Sequence, residues 1–176
     1  MKTVLYSFIL LAACGLVLSF AAHCMALAGV SIPGGVWVLH VGIFVVWIPT
    51  ILASRQMTRY ANRKDFWKVV LAGCPIWMRR AFYVLFVYAT LNFIVFFATT
   101  LRQPKQQKGD APPSVIRGFS GHWMVFYSAA FAILYSRIRA PQLYREHKCP
   151  QGHAVSPAAR YCSECGYDFS NESAKA

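Results

Sequence analysis

Four residues near the C-terminal end have the types and spacing of a metal site. Cys149-Pro150-Gln151-Gly152-His153 is followed, after the eight residues Ala154 to Tyr161, by Cys162-Ser163-Glu164-Cys165-Gly166. Three thiolates and one imidazole make a Cys3His set, which suits tetrahedral zinc. The spacing has a mechanical reason. In a C-x-x-C-G knuckle the turn directs both sulfurs to one point, and glycine lets the backbone come close to the ion. With Cys149, His153, Cys162 and Cys165 all ligating, no coordination position is left for water or substrate, so the zinc is structural. It stands in for the core that so short a segment cannot build, because folding of such a module is largely metal binding.

These residues resemble the zinc-ribbon family over roughly residues 147–169. The second knuckle follows the family pattern; the first has its glycine one place early and reads C-P-x-G-H, with His153 as second ligand. The resemblance implies a short β-hairpin fold for residues 149–170 and a role in contacting proteins or nucleic acid. His147 is the other imidazole within reach, but two residues before Cys149 is too short a spacing for a knuckle. Disulfides are the alternative for such cysteines and need an oxidising compartment.

A second set of groups lies in apolar sequence. His23 and His40 flank Pro33 at comparable distances, and His122 opens a later hydrophobic run. Imidazoles at one level of a membrane can bind haem or a metal, or relay protons. The plainer expectation is that each bonds a neighbouring backbone carbonyl or faces lipid headgroups, so the three are candidate cofactor residues only. Asn92 reads as a bond between helices, and Cys14, Cys24 and Cys74 as small apolar residues.

The segments that carry these groups are set by where charge is missing. Residues 3–54 hold 52 positions without Asp, Glu, Lys or Arg, in a chain of 176 residues that is 57% hydrophobic. A soluble fold has no place for such a run, whereas each bilayer crossing needs about 20 apolar residues. Spans are expected over about 4–27 and 36–53, separated by Ser31-Ile32-Pro33-Gly34-Gly35, then over 81–101 and 118–136. Residues 66–78, with Trp67 and Trp77 near the ends, are too short to cross and are expected along the inner interface. Trp37 and Trp123 are expected at the outer one. A basic linker, 137–148, leads to the ribbon, and 171–176 form a disordered tail. The fold class is thus an all-α membrane protein of four transmembrane helices with a small C-terminal zinc ribbon.

Orientation follows from lysine and arginine in the loops. Segment 54–80, the N-terminus and the stretch after the fourth span carry twelve, against four in 102–117. Both termini are therefore expected in the cytoplasm, as in a bacterial inner-membrane protein, where thiols stay reduced. The run Leu11-Ala12-Ala13-Cys14 also resembles a lipobox, but apolar sequence continues beyond Cys14, which favours an uncleaved span. The net charge of +12 does not point to nucleic acid. Residues 149–176 hold Arg160 and Lys175 against Glu164, Asp168 and Glu172, and a nucleic-acid module is the most basic part of its chain. The basic segment 54–80 suits anionic lipid headgroups instead. Spans without carboxylates argue against a proton-coupled transporter. The expected function is non-enzymatic: an anchor presenting the ribbon to a protein partner or to a second copy. The alternative is a membrane redox or metal-handling protein that uses the three histidines.

Overall fold

The computed structural model describes residues 2–59, 63–100, 112–141, 147–155 and 161–169. Residues 101–111 between the last two expected spans, residues 142–146 of the linker and the terminal tail 171–176 lie outside them. The protein is mostly helical. Helices α1 (Lys2–Leu27) and α2 (Val38–Met57) are joined through a 3-10 turn at Gly34–Trp37; a second such turn, Arg63–Asp65, leads into the short α3 (Phe66–Val70); α4 (Ile76–Thr100) and α5 (Pro113–Arg139) follow. Two strands, β1 (His147–Lys148) and β2 (Ala154–Val155), pair antiparallel with His147 opposite Val155.

Helix α1 stops earlier than the proline-glycine turn. Gly29, at φ +74°, ends it, with Val30 N–H donating to the Met25 carbonyl at 3.0 Å and Gly29 N–H to that of Ala26 at 3.2 Å. This is the Schellman closure, which satisfies carbonyls that the helix end would leave bare. Helix α4 starts after Pro75 and takes in Arg79 and Arg80, five residues ahead of the uncharged run.

Three helical stretches, Thr3–Leu27, Gly34–Met57 and Ile76–Thr99, are long and apolar enough to cross a membrane. Their outer faces carry exposed Leu10, Phe20, Phe44, Ile48, Val84 and Leu91, a surface that lipid solvates and water does not. Helix α5 differs in kind. It spans 27 residues, yet among the described residues none of its large apolar side chains is exposed. Gly118, Ser120, Gly121, Ser128, Ala129, Ala132 and Ser136 are buried along it, and it packs against α1, α2 and α4. Small residues let helices approach closely where no hydrophobic effect draws them together. The composition that makes α5 less apolar is what lets it sit at the centre.

Two layers of core lie along α5. One joins Ala12 and Ala22 of α1, Leu39, Ile43 and Val46 of α2, and Trp123, Tyr127 and Ala130 of α5. The other gathers Met57, Val70, Leu71, Cys74, Met78 and Phe82 against Ala129, Ala132 and Ile133. Segment 66–78 thus has an inward face, buried on α5, while Trp67 and Trp77 are exposed. Trp123 does not mark an interface: it is fully buried, because its indole N–H has an acceptor inside the bundle.

Candidate metal centre

The C-terminal segment folds as two knuckles facing each other. In the first, Gly152 N–H donates to the Cys149 carbonyl at 2.8 Å and Cys149 N–H to that of His153 at 3.1 Å; in the second, Gly166 N–H donates to the Cys162 carbonyl at 2.8 Å and Cys162 N–H to that of Tyr167 at 2.9 Å. Gly152 and Gly166 hold φ of +86° and +72°, the left-handed region that side chains resist. The β1–β2 pair closes the first knuckle, and an antiparallel bridge between Tyr161 and Asp168 closes the second.

The two loops differ by one residue, which explains the early glycine. In the second knuckle Cys165 precedes the glycine. In the first, the glycine turns the chain one position sooner, and His153 follows it. An imidazole reaches further from its Cα than a thiol does, so the ligand with the longer arm stands one place further along the chain.

The donor atoms of Cys149, His153, Cys162 and Cys165 all lie within 4.8 Å of one another, a group that could hold a metal ion. His153 Nδ1 is 3.4 Å from Cys149 Sγ and 3.8 Å from Cys162 Sγ, and Cys165 Sγ is 3.6 Å from Cys149 Sγ. Cys149 and Cys162 are buried with Val155, and half-buried Tyr167 and Phe169 pack over them. Those two aromatics, just past the C-x-x-C-G knuckle, are its apolar cover; their position next to the motif was the available sign of it. Burial pushes the Cys162 thiol up, but hydrogen bonds from the backbone of Cys165 and Glu164 and from the Cys165 and His153 side chains outweigh it and bring it down to about 6. A thiol so placed is ready to ligate, since the thiolate is the metal-binding form.

The three histidines of the helices have different neighbours. His23 is fixed on both nitrogens, Nδ1 to Ser120 Oγ at 2.8 Å and Nε2 to Tyr88 OH at 2.6 Å, and so ties α1 to α4 and α5. The order Ser–His–Tyr is that of a nucleophile, a base and an orienting group, but Ser120 is fully buried and no substrate could reach it. His40 Nδ1 accepts the Trp123 indole N–H at 3.0 Å. His122 lies against the rings of Phe93 and Phe126, at centroid distances of 6.0 and 4.5 Å. Among the described residues none of the three belongs to a cluster able to hold a metal. Asn92 donates to the Arg117 carbonyl at 2.8 Å, joining α4 to α5. Cys74 is buried, whereas Cys14 and Cys24 lie on the exposed side of α1. Tyr88 and Ser120 are hydrogen-bond partners of His23 that spacing alone did not single out.

Comparison with known protein families, with curated proteins and with solved structures finds no match for this chain.

Proposed function

We propose that the chain is a four-span membrane protein that holds a structural zinc ribbon at the cytoplasmic face, as a docking module for a protein partner or a second copy of itself. The observation that carries this reading is the geometry of the four donors. Zinc bonds of about 2.3 Å to sulfur and 2.0–2.1 Å to nitrogen, at tetrahedral angles, put neighbouring ligands roughly 3.6–3.8 Å apart. Three of the six donor separations are 3.4–3.8 Å, close to that tetrahedron, and all six lie within 4.8 Å. Four protein ligands close the shell, so the ion shapes a surface and does no chemistry. Helix α5 supports the fourth crossing by its length, about 40 Å at 1.5 Å per residue. The rival reading needs two imidazoles to meet at one ion or one haem, and the separate hydrogen-bond partners of His23 and His40 speak for the anchor.

Elemental analysis of freshly reduced protein should give one zinc per chain. Cys162→Ser or Cys165→Ser should remove it and unfold the tail while the helices stay inserted. His153→Ala should weaken zinc binding and His147→Ala should not. Well under one zinc per chain refutes the reading, and a Soret band in the absorption spectrum favours the redox alternative. For docking, a photo-crosslinker at exposed Ser163 in intact membranes should give a protein adduct that Cys162→Ser abolishes.

A further inference from the structure

A slot-shaped cavity of about 300 Å³ runs along α4 where it faces α5, away from the metal centre. Its wall gives its direction. At one end Trp67 of α3 meets Phe82 of α4 at a centroid distance of 5.2 Å, in the core layer that holds Ala129 of α5. At the other, Phe93 stacks on His122 at 6.0 Å. From Phe82 to Phe93 the helix rises about 16 Å, at 1.5 Å per residue. The slot therefore follows α4 from the start of the uncharged run 81–101 to its middle. Phe86 and Trp67 are exposed along it, so it opens sideways to lipid. Cations gather at its shallow end. Lys68 follows Trp67, and Arg79 and Arg80 lie within a turn of Phe82; residues 54–80 hold seven Lys and Arg against one acid, Asp65. Asp65 is 3.8 Å from Lys68, with both side chains at least half exposed, so water screens the pair and leaves most of the cation's field. Arg79 Nε donates to the Cys74 carbonyl at 3.0 Å, a bond that orients the guanidinium without neutralising it.

We infer that the slot holds one acyl chain of an anionic phospholipid, whose phosphate lies against Lys68, Arg79 and Arg80. The wall is almost wholly apolar, which selects hydrocarbon. Its length selects a lipid of one leaflet, since half of a hydrocarbon core about 30 Å thick is about 15 Å. A chain of that length, seated with its tip at Phe93, puts its phosphate at the level of Trp67, where the cations are. Each Lys or Arg near a membrane surface draws anionic lipid, and guanidinium pairs with phosphate oxygens in two parallel bonds. A zwitterionic lipid has the chain without the net charge. A second copy of the protein inserts in the same sense and would bring its own cations to that level, so it is repelled where the phospholipid is held. The site rests on the chain's crossing the membrane, and neither on the ribbon nor on which side the termini face.

The test uses the full chain in mild detergent, titrated with phosphatidylglycerol or phosphatidylcholine of equal chain length and read by native mass spectrometry. One phosphatidylglycerol should remain bound at concentrations where phosphatidylcholine has dissociated. Thr90→Phe, at an exposed position of the wall, should abolish that retention by filling the slot. Val84→Phe, exposed on the same helix outside the slot, should leave it intact. Lys68→Gln combined with Arg80→Gln, both exposed, should weaken phosphatidylglycerol about thirtyfold, the combined worth of two cations at a lipid surface, and leave phosphatidylcholine unchanged. Retention that Thr90→Phe does not alter is lipid of the general annulus and overturns the inference. Equal retention of the two lipids, or displacement by a fatty alcohol of the same length, overturns it too, because a bare acyl groove needs no cation. A dimer peak that Thr90→Phe removes would give the slot to a second copy and overturn the lipid assignment. Carbonate washing that releases the chain from membranes would sink the spanning reading and the site together; a chain that stays inserted and fails the lipid test sinks the site alone.

Discussion

Gly15→Ala in α1 tests whether close approach of helices, more than greasiness, holds the bundle together. A Cβ on Gly15 would lie 2.5 Å from Tyr127 Cδ1 and 2.6 Å from Cζ, and closer still to Cε1. Carbon atoms in contact prefer about 3.5–4.0 Å, so the ring would have to retreat by roughly 1 Å. It has nowhere to go. Tyr127 is 3% exposed, its hydroxyl donates to the Leu39 carbonyl at 2.7 Å, and behind that hydroxyl stands Gly42 of α2, where a Cβ would clash as well. Two effects then oppose each other. Alanine gains about 1 kcal/mol of helix propensity over glycine, while overpacking costs typically 1–3 kcal/mol. We expect a net loss of up to about 2 kcal/mol by circular dichroism in a denaturing-detergent titration. Tyr127→Phe, which removes only the hydrogen bond, should cost about 0.6 kcal/mol. The double-mutant cycle decides the cause. In a Tyr127→Ala background, Gly15→Ala should turn neutral or stabilising. The same destabilisation in both backgrounds, or none in either, refutes the idea that the ring needs that glycine.

Two further outcomes are expected. A reporter fused after Ala176 should read the cytoplasmic side and one inserted at Gly109 the opposite side; the reverse would place the cysteines in an oxidising space. Cys74, in the turn before α4, should resist alkylation until strongly alkaline pH. Burial pushes its thiol up from 9.0 to about 11, against smaller opposing effects of Arg79 and Ser136, and its Sγ donates to the Ala132 carbonyl at 3.2 Å. Folded and unfolded chains are both protonated there below about 9. Between 9 and 11 the unfolded chain loses a proton that the folded chain keeps, so stability should fall with rising pH across that window. Cys74→Ala should lack this slope, and fast labelling at pH 8 would contradict the burial.

What the sequence made legible follows from which physical signals survive in a membrane. Missing charge over residues 3–54 and 81–101 located helices, because no other solvent tolerates such runs. The two knuckles grouped Cys149, His153, Cys162 and Cys165, because ligand spacing is local and stiff. Facing was not legible. In water, apolar residues mark the inner side of a helix, but lipid accepts the same residues outside, so Leu10 or Val84 says nothing about direction. The signal that does tell is small residues, and Gly118, Gly121, Ala129, Ala132 and Ser136 already marked α5 as the packed helix. Trp123 misled for a related reason. Indole is common at interfaces because its N–H needs a partner, and here His40 supplies one inside the bundle. The cavity walled by Trp47, Trp67, Phe93 and His122 draws on α2, α3, α4 and α5 at once, which no local pattern encodes.

The central place of α5 also bears on the order in which the ribosome makes this chain. Helices α1, α2 and α4 all leave the ribosome before the helix they pack around. Until α5 follows, His23 lacks Ser120, His40 lacks the Trp123 indole, and the Leu39 carbonyl lacks the Tyr127 hydroxyl. The early helices can insert one by one, since their faces suit lipid, but they have little reason to settle against each other. Assembly is therefore a late event that waits for α5, the last and least greasy helix to be made, and a chain stalled before residue 112 would leave those polar groups without their partners.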